Sequence, residues 1–440
     1  MGVIVAKFGG SSLATAGQFE KVAGIIQADE QRRYVIPSAP GKAPGLTRKV
    51  TDLLYDCQQA ALHGDIRQAD DLFAQVEQRY LSIVKGLGTH FAIEPHLHVV
   101  HAAILADPEP DYAASRGEYL NGLILANLLG YDFVDPAEGI VFQQDGHLDE
   151  EATQRKLSEL LQKHPRAVVP GFYGALPDGH IKTFSRGGSD ITGAIVARAV
   201  GAELYENWTD VSGFLMTDPR IVDNPRTISM ISYKELRELS YMGASVLHED
   251  SIFPVRRRGI PIRVRNTNRP QDPGTLIVPH TDTDDQQTSI TGIAGRKGFT
   301  VIHMEKEQMN STVGFGRHVL SILERHGVSF EHLPSGIDTL SLVIQDCQLE
   351  GKRDAILQEL QEQIHPDVLE MHSNLALIAT VGRGMIRRVG ASATLFTALA
   401  EAGVNVRMID QGSSEINIIV GVEEEDFETA VRAIYAAFVG

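Results

Sequence analysis

A lysine followed by two glycines lies at the start of the chain, in the segment Lys-Phe-Gly-Gly-Ser-Ser at residues 7–12. The segment follows an apolar run at 3–5, which is typical of a buried strand. Glycines let backbone N–H groups approach phosphate oxygens, and an ammonium group neutralises charge on a transferring phosphoryl group. The order differs from a P-loop, where the lysine follows the glycines. The segment therefore predicts a phosphate site at Lys7, although a tight strand–helix turn has the same pattern.

A second pair of glycines, at 187–188, lies between Arg186 on one side and Ser189 and Asp190 on the other. Backbone amides at a helix N-terminus and a nearby arginine together form an anion site. Arginine suits a carboxylate because its donors bind two oxygens in one plane. The alternative is a plain glycine turn in which Ser189 or Asp190 caps the helix.

Two other segments can be interpreted either as functional sites or as local structure, namely a helix cap or a turn. Ser115-x-x-Glu118 fits a capping box, which predicts a helix start without chemistry. Thr209 and Asp210 follow a strand-like run, and Arg220 comes shortly afterwards. These groups could hold an adenine-ribose and its phosphates, and an Asp-Pro turn is the alternative.

The elements that must position these groups alternate along residues 1 to about 270, which predicts a sheet with helices on both faces. Strands are predicted at 3–6, 34–37, 133–135, 167–170, 203–206 and 262–266. Helices are predicted at 18–28, 51–62, 116–129, 151–161 and 190–199. A polar segment at 282–288 predicts a linker.

Beyond the linker, the sequence repeats itself. Leu323 and Gly327 match Leu399 and Gly403, with the same offset in both pairs. Each copy predicts a small α+β unit of the ferredoxin-like kind. The second copy ends in a predicted helix with almost no chain left for a closing strand, so we hypothesise that the apolar segment 290–294 supplies the missing edge.

Composition excludes several classes of protein. Hydrophobic residues make up 43% and charged residues 22%, as in an ordinary soluble globular protein. No apolar run has the length of a membrane span, and no cleavable leader is recognisable. The two cysteines, Cys57 and Cys347, cannot form a disulfide framework, so a cytoplasmic location is expected. The net charge of −17 argues against nucleic acid as the main partner.

Taken together, these segments resemble the aspartokinases, a family of the amino-acid kinase superfamily. The resemblance rests on residues 7–12, 186–190, 208–211, 239–244 and 273–276 and on the tandem repeat, which resembles a pair of ACT regulatory modules. It covers nearly the whole chain, in the monofunctional form without a fused dehydrogenase. The implied fold is a three-layer αβα amino-acid kinase domain with a C-terminal pair of ferredoxin-like (βαββαβ) ACT domains. The implied boundaries are 1–280 for the kinase domain, 281–298 for a linker that could include a shared ACT strand, and 299–372 and 373–440 for the ACT domains.

The resemblance implies that the γ-phosphoryl group of ATP is transferred to the side-chain carboxylate of L-aspartate. The product would be 4-phospho-L-aspartate, on the route to lysine, threonine, methionine and diaminopimelate. A carboxylate nucleophile is already deprotonated at neutral pH, so such a reaction needs positioning and charge neutralisation but no general base. Mg²⁺ is expected to be held mainly by the ATP phosphates and water, with no metal site in the protein.

Site residues carry over from the resemblance position by position. Lys7 would hold the transferring phosphoryl group, and Asp190 would orient Lys7. Arg186 would clamp the aspartate carboxylate, and Glu118, now a ligand, would bind the ammonium group. The full set of implied aspartate-binding residues is Ser38, Thr51, Glu118, Arg186, Gly187, Gly188 and Ser189. The implied ATP-binding residues are Lys7, Phe8, Gly9, Gly10, Thr209, Asp210, Leu215, Arg220, Ser245 and Val246.

The chain departs from the family at Ser245, where a lysine is usual. Loss of a charge-assisted contact would cost about 1.5–3 kcal/mol of ATP binding. Arg256 or Lys234 could replace that contact. We therefore expect a weaker or differently arranged ATP site in an active enzyme.

The ACT modules imply an amino-acid effector, with lysine as the first expectation and threonine as the second. The implied contacts are Met309, Ser311, Gly314, Phe315, Gly316, Phe330, Glu331 and Asp338. Glu331 or Asp338 would suit the ammonium group of the ligand. Symmetric pairing of such modules implies a homodimer or homotetramer.

Two other functions compete with this one. The first is another amino-acid kinase, acting on glutamate, carbamate or a nucleotide, and the twin ACT copies argue against it. The second is a non-enzymatic amino-acid sensor, which Ser245 alone favours. The presence of Lys7, Arg186 and Asp190 argues against the sensor.

Overall fold

The computed structural model of the protein describes residues 2–185, 187–244, 253–279, 290–386 and 388–440. In this described part the chain forms two compact units. The first contains residues 2–185, 187–214, 227–233 and 253–279. The second contains residues 215–226, 234–244, 290–386 and 388–440. The domain boundaries after 280, 298 and 372 stay predictions.

The first unit is built around one large, mostly parallel sheet. Its described strands are β1 (Ile4–Phe8), β2 (Arg32–Pro37), β3 (Asp132–Phe133), β4 (Ala167–Val168), β7 (Leu204–Thr209), β8 (Met230–Ser232), β9 (Ile262–Asn266) and β10 (Thr275–Val278), while β5 (Tyr173–Ala175) and β6 (Ile181–Thr183) form a separate hairpin. The strand order is β3-β4-β2-β1-β7-β9-β10-β8, and β10 is antiparallel to β9. The six strands predicted from the sequence are confirmed: β9 has the predicted bounds, and the other five have different ends.

Helices cover this sheet. They are α1 (Ala16–Gln27), α2 (Val50–Leu62), α3 (Ile66–Leu87), α4 (Glu94–Ala106), α5 (Pro110–Leu129), α6 (Glu150–Leu161), α7 (Gly188–Val200) and α9 (Phe253–Arg256). The chain between β8 and α9 also forms α8 (Tyr233–Tyr241). From its second residue onward, α8 groups with the second unit. None of the helices in the described ranges is both long enough and apolar enough to cross a membrane.

The central strand β1 shows why the unit has three layers. All five of its residues are buried, as expected for a parallel strand that is covered on both faces. Ala6 and Phe8 pack in one core with residues of α1 to α5. Lys7 points to the other face, because side chains alternate along a strand, and there it meets α7. The predicted αβα arrangement is confirmed.

Two predictions about helices were wrong or incomplete. The capping box at Ser115 does not start a helix, because α5 already begins at Pro110, where a proline is favoured. The Ser115 hydroxyl instead donates to the carbonyl of Tyr112 within α5, at 2.7 Å. Helices α3 and α4 were not predicted at all.

The second unit contains the repeats. Its further elements are β11 (Gly292–Glu305), α10 (Phe315–Arg325), β12 (Thr339–Gln345), α11 (Asp346–Leu349), α12 (Arg353–Ile364), β13 (Val368–Val381), α13 (Ala391–Glu401), β14 (Met408–Asp410), β15 (Asn417–Glu423) and α14 (Phe427–Val439). They form one antiparallel sheet with the order β12-β11-β13-β15-β14, which accommodates both ferredoxin-like ACT modules. Ile293 and Ala294 pair with Thr380 and Ala379 of β13, so the start of β11 lies beside the strands of the second copy.

Candidate active site

The candidate site lies where parallel strands end side by side. In open α/β sheets, ligands bind outside the carboxyl ends of the strands. Backbone hydrogen bonds connect the loops that follow β1, β2 and β7: the Gly9 N–H donates to the Trp208 carbonyl at 3.0 Å, and the Ser38 N–H donates to the Phe8 carbonyl at 3.0 Å. The segment at 7–12 is therefore fixed on both sides by its neighbouring strands.

The loops after β1 and β2 approach each other so closely that only glycine fits. The Gly41 N–H donates to the Gly10 carbonyl at 2.8 Å. A Cβ atom on Gly10 would lie 2.8 Å from the Ala39 carbonyl oxygen, and one on Gly41 would lie 2.6 Å from the Gly10 carbonyl carbon. Such a backbone approach leaves amide groups accessible to an anion.

A buried arginine that sequence analysis missed supports this loop contact. Arg79 lies on α3, is 8% exposed, and donates from Nη2 to the Gly41 carbonyl at 2.6 Å. Burial lowers the pKa of Arg79 by removing water from its charged form. Its position in a long helix gave no local signal that it would contact the loop after β2.

The second glycine pair opens α7. Gly187 has φ 60°, the left-handed conformation that glycine adopts without strain, and it directly precedes the first helical residue. A Cβ atom on Gly188 would overlap Cδ2 of Phe172. This close packing fixes the first turn, which also carries Ser189 and Asp190, whereas Arg186 lies outside the described residues.

The two glycine turns meet through an ion pair. Lys7 Nζ lies 2.5 Å from Asp190 Oδ1, and the lysine is 8% exposed. Asn207, in β7, donates from Nδ2 to the same carboxylate oxygen at 2.7 Å. The structure thus joins the two predicted anion sites into one, with an asparagine that sequence analysis did not identify.

Glu118 lies in the middle of α5, so it is not a helix cap; it is only 6% exposed and near enough to Lys7 for that charge to affect its pKa. Among the described residues its Oε2 has no hydrogen-bond partner. Burial raises the pKa of Glu118 to about 7, against the opposing effects of the Ala39 amide and the charges of Lys7 and Arg116. A buried carboxyl group with a vacant oxygen is suited to a cationic ligand group.

The other predicted aspartate-binding residues are brought close to Glu118 by two contacts. Asn121, one turn further along α5, donates to the Ser38 carbonyl at 2.7 Å. At the start of α2, the Val50 N–H donates to the Pro40 carbonyl at 3.2 Å, which places the half-buried Thr51 at the same loop. Ser38, Thr51 and Glu118 therefore lie in or next to the loop after β2.

The predicted ATP-binding residues other than those at 7–10 fall into three groups. Thr209 and Asp210 end β7 at the same sheet edge, and their side chains hydrogen-bond each other at 3.1 Å. Leu215 and Arg220 belong to the second unit, and Arg220 pairs with Asp218 at 2.6 Å. Ser245 and Val246 lie outside the described residues.

The predicted effector positions form two segments of the second unit. Met309 and Ser311 lie in a 3-10 turn, Gly314 has φ 82°, and Phe315 and Gly316 open α10. Phe330, Glu331 and Asp338 lie between α10 and β12. The Asn310 N–H donates to the Ile337 carbonyl at 3.1 Å and the Lys306 N–H to the Asp338 carbonyl at 2.8 Å, so the two segments are neighbours.

Comparison with known families agrees with both units. The sequence profile of the amino acid kinase family matches residues 2–266, and that of an ACT domain matches residues 378–438. Aspartokinase 3 of Bacillus subtilis is 37% identical to the chain, over 99% of this chain and 98% of its own length.

Solved structures give the same result. The crystal structure of Clostridium acetobutylicum aspartate kinase superimposes with a TM-score of 0.91 at 56% sequence identity, over 100% of both chains. Escherichia coli aspartokinase III in complex with aspartate and ADP matches with a TM-score of 0.74 at 25% identity, over 99% of both chains. The same enzyme in complex with lysine and aspartate gives a TM-score of 0.73 at 25% identity, over 100% of both chains.

Proposed function

Since this chain belongs to the aspartokinases of the amino acid kinase family, it is an aspartate kinase, and we propose that it converts L-aspartate and ATP into 4-phospho-L-aspartate and ADP. The phosphoryl acceptor is the side-chain carboxylate. The product would supply the routes to lysine, threonine, methionine and diaminopimelate. The observation that carries this proposal is the Lys7–Asp190 ion pair between two glycine turns, with the buried carboxyl group of Glu118 nearby.

Each group has a distinct task in this proposal. The Lys7 ammonium neutralises charge on the phosphoryl group as it moves, and the amides around Gly9 and Gly10 bind its oxygens. Glu118 accepts the ammonium of aspartate, while Arg186 takes a carboxylate, with Ser38, Thr51 and Ser189 around the substrate. No general base is required, because the attacking carboxylate carries no proton at neutral pH.

ATP is proposed to enter with Mg²⁺, which neutralises charge on its phosphates. In the ranges that the structure describes, no three His, Cys, Asp or Glu side chains are grouped to hold a metal. The Asp190 carboxylate is already used by Lys7 and Asn207. We propose that the ion is held mainly by phosphate oxygens and water.

Lysine is the proposed feedback inhibitor, with threonine as the second candidate. Support comes from the lysine complex of the E. coli relative and from the two neighbouring segments around Met309 and Asp338. Glu331, a half-buried acid between them, accepts a hydrogen bond from the hydroxyl of Tyr241 at the end of α8. A ligand ammonium that takes over this carboxylate would bind one arrangement of α8 more tightly than another, as inhibition requires.

A homodimer or homotetramer through the ACT modules is proposed from two exposed valines. Val313 is 97% exposed and Val389 is 100% exposed. They occupy equivalent positions of the two repeats, each just before a glycine with positive φ that begins a helix. Fully exposed valines at repeated positions are suited to an interface between subunits.

The function is tested by ADP release with ATP, Mg²⁺ and L-aspartate. The wild type should show aspartate-dependent turnover, and Lys7→Met should lower kcat by at least about 100-fold. The matched control is Lys21→Met, at an exposed lysine that bonds only Asn268 among the described contacts. Turnover with glutamate or carbamate in place of aspartate would contradict the proposed acceptor.

The regulator is tested in the same assay with lysine or threonine added. Lysine should inhibit the wild type, and Glu331→Gln should relieve the inhibition without changing turnover in its absence. The control variant is Glu324→Gln, at an exposed acid of α10 in the same module. Inhibition by threonine alone would favour the second candidate, and inhibition of Glu331→Gln equal to that of the wild type would refute the proposed contact.

A further inference from the structure

The position of Asn207 in the sheet directs its side chain towards Lys7 and Asp190, the residues that are proposed to act in phosphoryl transfer. In the parallel pair of β1 and β7, Asn207 is the direct partner of Lys7. Partners in register point to the same face, and α7 packs on this face of both strands. The asparagine is 4% exposed, so its amide group is not simply solvated.

One oxygen atom connects the three side chains. Asp190 Oδ1 accepts from Lys7 Nζ at 2.5 Å and from Asn207 Nδ2 at 2.7 Å. A carboxylate held by the lysine alone can rotate about its terminal bond, whereas two donors on different strands fix its plane. Asn207 supplies the second donor without adding charge, so the pair of Lys7 and Asp190 keeps its electrical balance.

We propose that Asn207 is a positioning residue for phosphoryl transfer, which acts by fixing the Asp190 carboxylate and, through it, the ammonium of Lys7. This inference rests on the proposed roles of Lys7 and Asp190. Phosphoryl transfer depends on charge held in place before the reaction, so a small displacement of the ammonium lowers the rate of the chemical step more than it lowers substrate binding.

Two substitutions separate positioning from packing. Asn207→Leu keeps the number and branching of the side-chain heavy atoms and removes the donor. It should lower kcat by about 10- to 100-fold, the effect of losing a hydrogen bond to a charged group, with each KM changed less than about threefold. Asn207→Asp keeps the shape and places a second carboxyl group beside Asp190.

The kcat of the Asn207→Asp variant, relative to the wild type, should depend on pH, whereas a plain loss of the hydrogen bond would lower kcat equally at pH 6 and pH 8. At pH 8 both carboxyl groups are ionised and repel each other. As the pH falls towards 6, one proton becomes shared between them, and the protonated group donates to the other as Asn207 did. The charged and titratable groups around them are Lys7 on β1, Tyr205 on β7, and Glu118 on α5, whose pKa is influenced by Lys7. The kcat of this variant, relative to the wild type, should therefore rise as the pH falls.

The matched control is Tyr205→Phe. Tyr205 lies on the same strand and face, and its hydroxyl donates to the backbone carbonyl of Asp190 at 3.1 Å rather than to the carboxylate. This variant should keep kcat within about threefold of the wild type and follow its pH profile. The kcat and each KM are measured from pH 6 to 8, with urea-unfolding midpoints as a check on folding.

The results distinguish this inference from the proposed function. Wild-type kcat in Asn207→Leu, or equal losses at pH 6 and 8 in Asn207→Asp, would overturn the positioning role. Asp190→Asn should lose activity. If it does not, the role proposed for Asp190 fails and the inference fails with it. Absence of aspartate-dependent turnover in the wild type would instead refute the proposed function.

Discussion

The raised pKa of Glu118 makes aspartate binding depend on pH in a predictable direction. The free carboxyl group has a pKa of about 7 because it is buried, and it must be ionised to accept the substrate ammonium. The bound ammonium stabilises the charged form and lowers that pKa. Binding therefore releases a proton, and affinity rises with pH.

The magnitude follows from the fraction of Glu118 that is ionised. With a pKa of about 7, about nine-tenths of the groups are ionised at pH 8, about half at pH 7 and about one-tenth at pH 6. The Kd for aspartate should thus be about tenfold weaker at pH 6 than at pH 8. About half a proton should be released per aspartate bound at pH 7.

Isothermal titration calorimetry of aspartate into the ADP-saturated enzyme measures both quantities. Titrations in two buffers of different ionisation enthalpy give the number of protons released. Glu118→Gln should bind aspartate weakly and release no proton, while Glu109→Gln, at an exposed carboxylate just before α5, should match the wild type. Equal wild-type affinity at pH 6 and 8, or proton uptake on binding, would refute the reasoning.

Three further outcomes are expected. Burial raises the folded-state pKa of Glu118 from 4.5 to about 7, so this group destabilises the protein increasingly as the pH rises between those values. At pH 8, Glu118→Gln should therefore raise the free energy of unfolding by about 3 kcal/mol. The difference between variant and wild type should vanish near pH 4.5. The single tryptophan, Trp208, reports this unfolding from within the first unit. Gly10→Ala should lower kcat/KM by about 100-fold, because its Cβ atom would lie 2.8 Å from the Ala39 oxygen and displace the phosphate loop. The double variant Val313→Asp with Val389→Asp should sediment as a smaller species than the wild type.

Matched variants check these outcomes. Gly17→Ala, at a helical glycine whose Cβ atom would meet nothing within 4 Å, should leave kcat/KM unchanged. Val99→Asp, at a valine of α4 that is 63% exposed, should leave the mass unchanged. A difference in unfolding free energy that grows as pH falls would contradict the assignment of Glu118, and wild-type activity in Gly10→Ala would contradict the tight loop contact.

Local patterns were sufficient wherever a residue's neighbours in sequence impose its conformation. The glycine pairs at 9–10 and 187–188 lie, as predicted, in turns that precede a helical segment, and Gly187 has the positive φ that glycine favours; their role as anion sites stays a prediction. The ACT fold followed from the repeat, because similar sequences fold into similar units. The roles carried over from the resemblance to individual site residues stay predictions, and Arg186, Ser245 and Val246 lie outside the described residues.

Local patterns misled where the outcome depends on burial. The capping box at Ser115 and Glu118 is as compatible with the interior of a helix as with its start, and only the packing of α5 decided between them. Helix α3 was missed, and with it Arg79, whose partner Gly41 lies 38 residues away in sequence.

The sequence alone determined the fold class, because the alternation of strands and helices acts through short-range geometry, and its resemblance to the aspartokinases implied the type of chemistry. Only the tertiary structure decided that Lys7 and Asn207 both donate to Oδ1 of Asp190, and that Glu118 is buried with a raised pKa. Strand register and loss of water are properties of the assembled sheet and its layers. They act between residues that are far apart along the chain, so no local pattern records them.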